Sequence, residues 1–276
     1  MRPHRSSLAL LSLLAHSGCV QWHSQKGQDK WVSRSFDLDS PSSERPGFYV
    51  DLAANHPTLL SNSYVLDTHY HWRGLCIEAN AVEYDAALYR AHNRTCALVA
   101  AIVSTSDGER VNFLPSGPGG GIVASDTDHA LVPEKHAYYV GITRSLVSLL
   151  DEHNSPHVID YLSLDVEGAE ARVLSDSFAF DRYTFLSLTV ERPPPWLNHR
   201  LARHGYLFVQ NNKFDSFYIH KSHPRAGTIR RAPFQQILAK CTGSRDVARV
   251  ANVKHRTRFG ECKWPNATAY GTPPEW

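Results

Sequence analysis

Phe48-Tyr49-Val50-Asp51-Leu52-Ala53-Ala54-Asn55-His56-Pro57 and Leu75-Cys76-Ile77-Glu78-Ala79-Asn80 decide the fold. Each opens as a short apolar, β-prone run and passes through a carboxylate into a turn, the pattern of a buried strand. Working outward, a helix is expected over residues 61–70, capped by Ser61 or Asn62, and a second over 81–92, with Tyr84, Leu88 and Ala91 on one face. Strands are expected at 98–103, 159–165 and 185–190, helices at 145–153, 169–174 and 196–204, and an added β element at 111–114. Strand–helix alternation through 48–190 implies a parallel sheet covered on both faces. Two closing strands, 207–209 and 217–219, are close enough to form an antiparallel hairpin at one edge.

The flanks read differently. Residues 1–18 carry Arg2 and Arg5, a short apolar core from Leu8 to Ala15, and small residues at Ala15 and Ser17. That grammar fits a signal peptide, and an organelle transit peptide or an ordinary first helix remain open beside it. Residues 19–47 are polar and are expected to form an entry segment with little regular structure. The body is taken as residues 48–222 and the remainder, 223–276, as a basic extension whose helical candidate is 232–240. From residue 221 onward there are 11 Lys/Arg against 3 Asp/Glu. The net charge of the whole chain is only +2, which gives no reason to expect a nucleic-acid partner, and no apolar run reaches the length that spans a bilayer. Sequons at Asn93 and Asn266 fit a secretory lumen or secretion. Of five cysteines, Cys76 reads as a buried, inert thiol, Cys241 and Cys262 as a possible pair, Cys96 as ambiguous, and with Cys19 the count is odd.

Acids stand where a parallel sheet binds ligands, beyond the carboxyl ends of its strands. Asp51, Glu78, Asp165 and Glu191 each fall at such an end. Glu78 follows Asn55 by 23 positions, the distance at which nucleotide-binding sheets place an acid on ribose hydroxyls. The loop after the first strand has no glycine to cradle a pyrophosphate, and Asp51 would repel one. A ligand with a ribose, a positive charge and no phosphate fits: S-adenosylmethionine. Residues 115–121, Pro-Ser-Gly-Pro-Gly-Gly-Gly, lack the Lys-Ser/Thr of a phosphate loop and read as a loop, with 115–125 a candidate lid.

The segments Gly47 to Asn55, Ser61 to Tyr64, Gly74 to Asn80, Leu164 to Glu170 and Val190 to Pro193 resemble those of FkbM-type methyltransferases, over a stretch from about His23 to His220. The resemblance implies a Rossmann-like class I methyltransferase with a mostly parallel seven-strand sheet. It also implies S-adenosylmethionine as donor and O-methylation of a carbohydrate or small natural-product hydroxyl. The cofactor-binding candidates are Asp51, Ala53, Asn55, Glu78 and Asn80, and the catalytic candidates are Asp165, Glu167 and His56. Asp165, Glu167 and Glu191 offer oxygen ligands to a hard divalent cation, but no spacing demands one and no metal is assigned. The sixteen histidines show no zinc spacing. The family's first loop carries glycine where this chain has Ala53, so the loop is expected to have adopted a different turn with negative φ. That departure and the secretory-type start keep a second reading open, a non-catalytic relative that binds or traffics in the secretory pathway.

Overall fold

The computed structural model describes residues 20–40, 46–80, 85–130, 137–240 and 261–262. The targeting segment, Cys19, Tyr84 and the start of the helix expected at 81, Cys241 and so its pairing with Cys262, and the second sequon all lie outside them.

In chain order the elements are α1 (Gln28–Phe36), β1 (Phe48–Leu52), α2 (Tyr64–Thr68), β2 (Arg73–Glu78), α3 (Ala86–Ala91) and β3 (Ala97–Ala100). There follow β4 (Ile102–Ser104), β5 (Arg110–Leu114), a 3-10 turn at Gly117–Gly119, β6 (Gly121–Val123), β7 (Tyr139–Ser145) and α4 (Leu146–Glu152). The last are β8 (Val158–Leu164), α5 (Glu170–Val173), β9 (Thr184–Glu191), α6 (Pro195–Arg203), β10 (Tyr206–Asn212), β11 (Asp215–His220), and the two-residue strands β12 (Ala239–Lys240) and β13 (Glu261–Cys262).

Seven strands form one sheet in the order β10-β11-β9-β8-β1-β2-β3. From β9 to β3 every pairing is parallel, and β11 runs antiparallel to both β9 and β10. β1 has β2 on one side and β8 on the other, so the chain reverses its winding direction at β1, which is where open sheets bind ligands. The central strands carry Val50, Leu75, Ile77, Ile159, Leu162, Phe185 and Leu188, none of them exposed. Burial of each such side chain contributes about 1.5–3 kcal/mol.

Several expectations are corrected. The entry segment contains a nine-residue helix, α1, held by tertiary contacts rather than by periodicity: Val32 is buried, and Trp31 and Phe36 set their rings edge-on against Phe217 and Trp72. The third strand is two, because the chain leaves the main sheet after Ala100 and β4 enters a second sheet of order β4-β7-β5-β6. β7 has no counterpart among the expected elements. Its Gly141 is required by packing, since a Cβ there would stand 2.2 Å from Ile102 Cδ1. Residues 232–240 are not helical; they run extended over the body, with Phe234 edge-on to Phe208 and the Gln236 side-chain amide donating to the Pro193 carbonyl. Finally, Cys76 is not a free thiol but forms a disulfide with Cys96, tying β2 to the start of β3. α2 is also shorter than expected, and Ser61 caps it from outside by accepting from the Ser63 and Tyr64 amides.

Candidate functional site

The carboxyl ends of β1, β2, β8 and β9 open into a cavity of about 460 Å³. Asp51, Ala53, Asn55, Glu78 and Asn80 line one side of it, and Asp165, Glu167, Glu191 and Arg192 another. Seven of the eight site residues expected from the sequence therefore meet in one place. His56 does not. Its Nδ1 accepts from the Thr58 and Leu59 amides at 3.1 Å each, so that nitrogen ties down its own loop, and the residue is not part of the cavity's lining.

On the first side, Glu78 is buried at the end of β2. Its two carboxylate oxygens accept from the Asn55 amide at 2.7 Å and the Asn80 amide at 2.6 Å. A carboxylate has about four acceptor positions, so these bonds fix its orientation without exhausting it. Asp51 accepts from the Ser63 hydroxyl, and burial pushes its carboxyl above the ordinary range. Beside Glu78 a narrow apolar slot runs between Ile77, Ala79, Ala101, Ile102, Phe113 and Val166.

The loop between β1 and α2 is left-handed twice, at Ala53 (φ 66°) and Asn55 (φ 48°). This overturns the expected negative-φ turn: the chain keeps a glycine-like conformation with alanine in it. Both the Ala53 and Ala54 amides donate to the Ile77 carbonyl, and this forked anchor holds the turn in place. Alanine in this region carries strain of about 1–2 kcal/mol. Ala53→Gly relieves that strain and adds only about 0.4–1 kcal/mol of unfolded-state entropy. Thermal melts are expected to show a rise of about 2 °C. A lower melting temperature would mean that Ala53 is unstrained.

On the second side, left-handed backbone recurs at Glu167 (φ 53°) and Arg192 (φ 38°), and with Leu60 (φ 58°) five of the cavity's side chains hang from it. Gly168 follows Glu167 at φ 95°, and a Cβ there would meet the Asp128 amide nitrogen at 2.4 Å, so this turn admits only glycine. Glu170 closes the turn from below by accepting from the Val166 and Gly168 amides. Enclosure by protein, and next the negative charge of Glu191, push the Asp165 carboxyl well above the usual range. Asp165, Glu167 and Glu191 each bring an oxygen within 4.8 Å of the other two, enough to surround a cation. Protein cations already partner two of them: Arg192 lies 3.0 Å from Glu191, and Lys240 lies 2.7 Å from Glu167 and 3.3 Å from Asp128.

Sequence reading missed Lys240, and nothing in its neighbourhood could have revealed it, because it reaches Glu167 from 73 residues away. Arg192 stood beside Glu191 in the sequence, but its second role, stacking 4.1 Å above the Phe214 ring, depends on the turn between β10 and β11. The glycine-rich loop does overlie the cavity through Gly117 to Gly120. Residues 121–123, expected to be loop, are β6, paired to β5, so the loop is anchored at its far end by the second sheet.

A model of the methyltransferase FkbM domain matches residues 51–215. No curated protein and no solved structure matches the chain.

Proposed function

The chain belongs to the FkbM methyltransferase family, and from that premise we propose that it moves a methyl group from S-adenosylmethionine to a hydroxyl of a carbohydrate or other small acceptor. The observation that carries this reading is the pairing of a buried, oriented carboxylate, Glu78, with an apolar slot at the switch point of the sheet. Glu78 fits a ribose diol, the slot fits an adenine face, and the acidic lining fits a ligand with a sulfonium and an ammonium but no phosphate. The seven-strand sheet with its reversed strand β11 supports the class I assignment.

Bound there, S-adenosylmethionine supplies a methyl group already activated on positive sulfur. The protein's part is to hold an acceptor oxygen in line and to take its proton. Correct orientation alone can account for as much as ~7–11 kcal/mol of barrier. Asp165 is the proton acceptor in this reading: in its ionised form its raised pKa makes it a stronger base than an ordinary aspartate. Glu167, held by Lys240, lies beside it. Ala53 no longer argues for a non-catalytic relative, since its backbone retains the conformation glycine would have.

A secretory lumen is the compartment we favour. The Cys76–Cys96 disulfide and the exposed Asn93 of the first sequon support it. No helix among the described residues is long and apolar enough to cross a membrane.

Calorimetry with S-adenosylmethionine tests the reading directly. The wild type is expected to bind, and Glu78→Ala to bind more weakly by about 2–4 kcal/mol, roughly 30- to 1000-fold in Kd. Absence of binding to the wild type would refute the methyltransferase reading; equal binding by both would remove Glu78 from the site.

A further inference from the structure

A second recess lies behind the cavity, between α1 and β10, with a volume of about 440 Å³. Lys30 and Arg34 are one turn apart on one face of α1, and Lys26, just before the left-handed cap Gly27, lines the same groove. At 1.5 Å per residue, Lys30 and Arg34 stand about 6 Å apart along the helix. Arg230, from the segment beyond β11, joins them in lining the groove. Among the described residues no carboxylate lines it. Acids close to it in the chain or in space are otherwise engaged: Asp29 is buried and accepts from His23, Ser24 and the Lys30 amide, Asp37 stands 3.9 Å from Arg225, and Asp215, which acts on Lys26, is buried and pushed up to about 7.

The groove and the cavity share a wall. Gln25 and Gln28 line the cavity, while Lys26 and Gly27 between them line the groove. Phe214, also on the cavity, carries the Lys26 ammonium 5.6 Å from its ring centre and the Arg192 guanidinium at 4.1 Å. A molecule seated in the groove therefore lies next to the proposed acceptor site.

We propose that this groove binds an acidic glycan segment, sulfated or uronate-bearing, that belongs to the methyl acceptor. Four cations from two segments, Lys26, Lys30 and Arg34 with Arg230, exceed what a single phosphate or sulfate engages and suit an anion repeated along a chain. A lipid surface is the poorer fit. Membrane-docking faces present apolar side chains for insertion beside their cations. Here the large aromatic residue is Trp31, half-buried in the groove with its ring edge-on to Phe217 at 5.0 Å. The part of the indole that lines the groove is an apolar surface a sugar ring can pack against. The proposal rests on the methyltransferase reading only in calling the glycan an acceptor, since its binding is measured without donor.

The test is calorimetry of the full chain with a heparin-derived hexasaccharide, its desulfated counterpart, and phosphatidylserine vesicles. The sulfated hexasaccharide is expected to bind, more weakly as salt is raised, and the desulfated one to bind poorly. Lys30→Glu/Arg34→Glu, and separately Arg230→Glu from another segment, are each expected to lower affinity about tenfold or more. S-adenosylmethionine binding and the melting temperature should hold, which excludes a folding defect. No binding of the sulfated hexasaccharide, equal binding by the variants, or binding of vesicles alone would each overturn the proposal. Failure of the wild type to bind S-adenosylmethionine would instead strike the methyltransferase reading and leave the groove result interpretable.

Discussion

Asp165→Asn is expected to lower turnover by ~10²–10⁴-fold while leaving S-adenosylmethionine affinity nearly unchanged. Asparagine preserves the shape of the side chain at the end of β8 but cannot take a proton. It also removes a carboxyl that burial first, and the facing negative charge of Glu191 next, hold well above the ordinary range. The melting temperature should therefore hold or rise, which separates a chemical defect from a structural one. The pH profile gives a second readout. A base works when deprotonated, so wild-type turnover should climb as pH rises through a pKa displaced above the ordinary aspartate range. The variant should lack that limb. Equal losses in turnover and donor affinity would make Asp165 a binding residue, and a retained limb would assign the proton to another group.

The largest expected effect on stability belongs to Arg94. Its guanidinium is enclosed with Asp67, Nε to Oδ2 at 2.8 Å, and neither side chain is exposed. The remaining nitrogens donate to the Pro57 carbonyl at 2.7 Å and to the Ser63 hydroxyl at 2.7 Å, and Ser63 in turn donates to Asp51. One buried cation thus fastens α2, the loop before it and a donor-side carboxylate. Arg94→Met leaves Asp67 buried without its partner and is expected to cost about 3–5 kcal/mol. The melting temperature should fall by about 10 °C or more. Lysine should not rescue it, because a single ammonium cannot reproduce the planar fork. Urea melts of Arg94→Met and of Asp67→Asn/Arg94→Met give the check. A loss below about 1 kcal/mol for the single variant, or a double variant no better than the single, would show that the pair is not what holds this corner together.

What the sequence made legible follows from burial. β1, β2, β8 and β9 are covered on both faces, so they read as continuous apolar runs, and their terminal acids marked the cavity before any geometry was known. β7 is largely exposed and α1 buries mostly polar residues, and both draw their order from distant partners. Trp31 needs Phe217, and Gly141 needs Ile102. His56 has the residue type of a base at a plausible place, and only the loop geometry shows its nitrogen already in use. Cys76 looked like packing because its partner, Cys96, stands 20 residues away in an unremarkable stretch. The Ala53 turn was misread for a physical reason: its conformation is decided by two amides reaching the Ile77 carbonyl, which local propensity does not contain.

The pairing of β1 bears on how the chain is assembled as it is made. Its first neighbour, β2, lies about twenty-five residues downstream, but Phe48 meets Asp160 across a separation of 112 residues. Well over half the domain must leave the ribosome before the central strand acquires its second neighbour. Should β1, β2 and β3 pair in that interval, the β1 side would stay open as an apolar edge, a state prone to pair with other chains. The bond between Cys76 and Cys96 closes entirely within this early piece. An oxidising folding environment would thus let the nascent chain lock its first sheet before the remainder arrives, whereas a reducing one would leave that edge loosely held for longest at the point where aggregation starts.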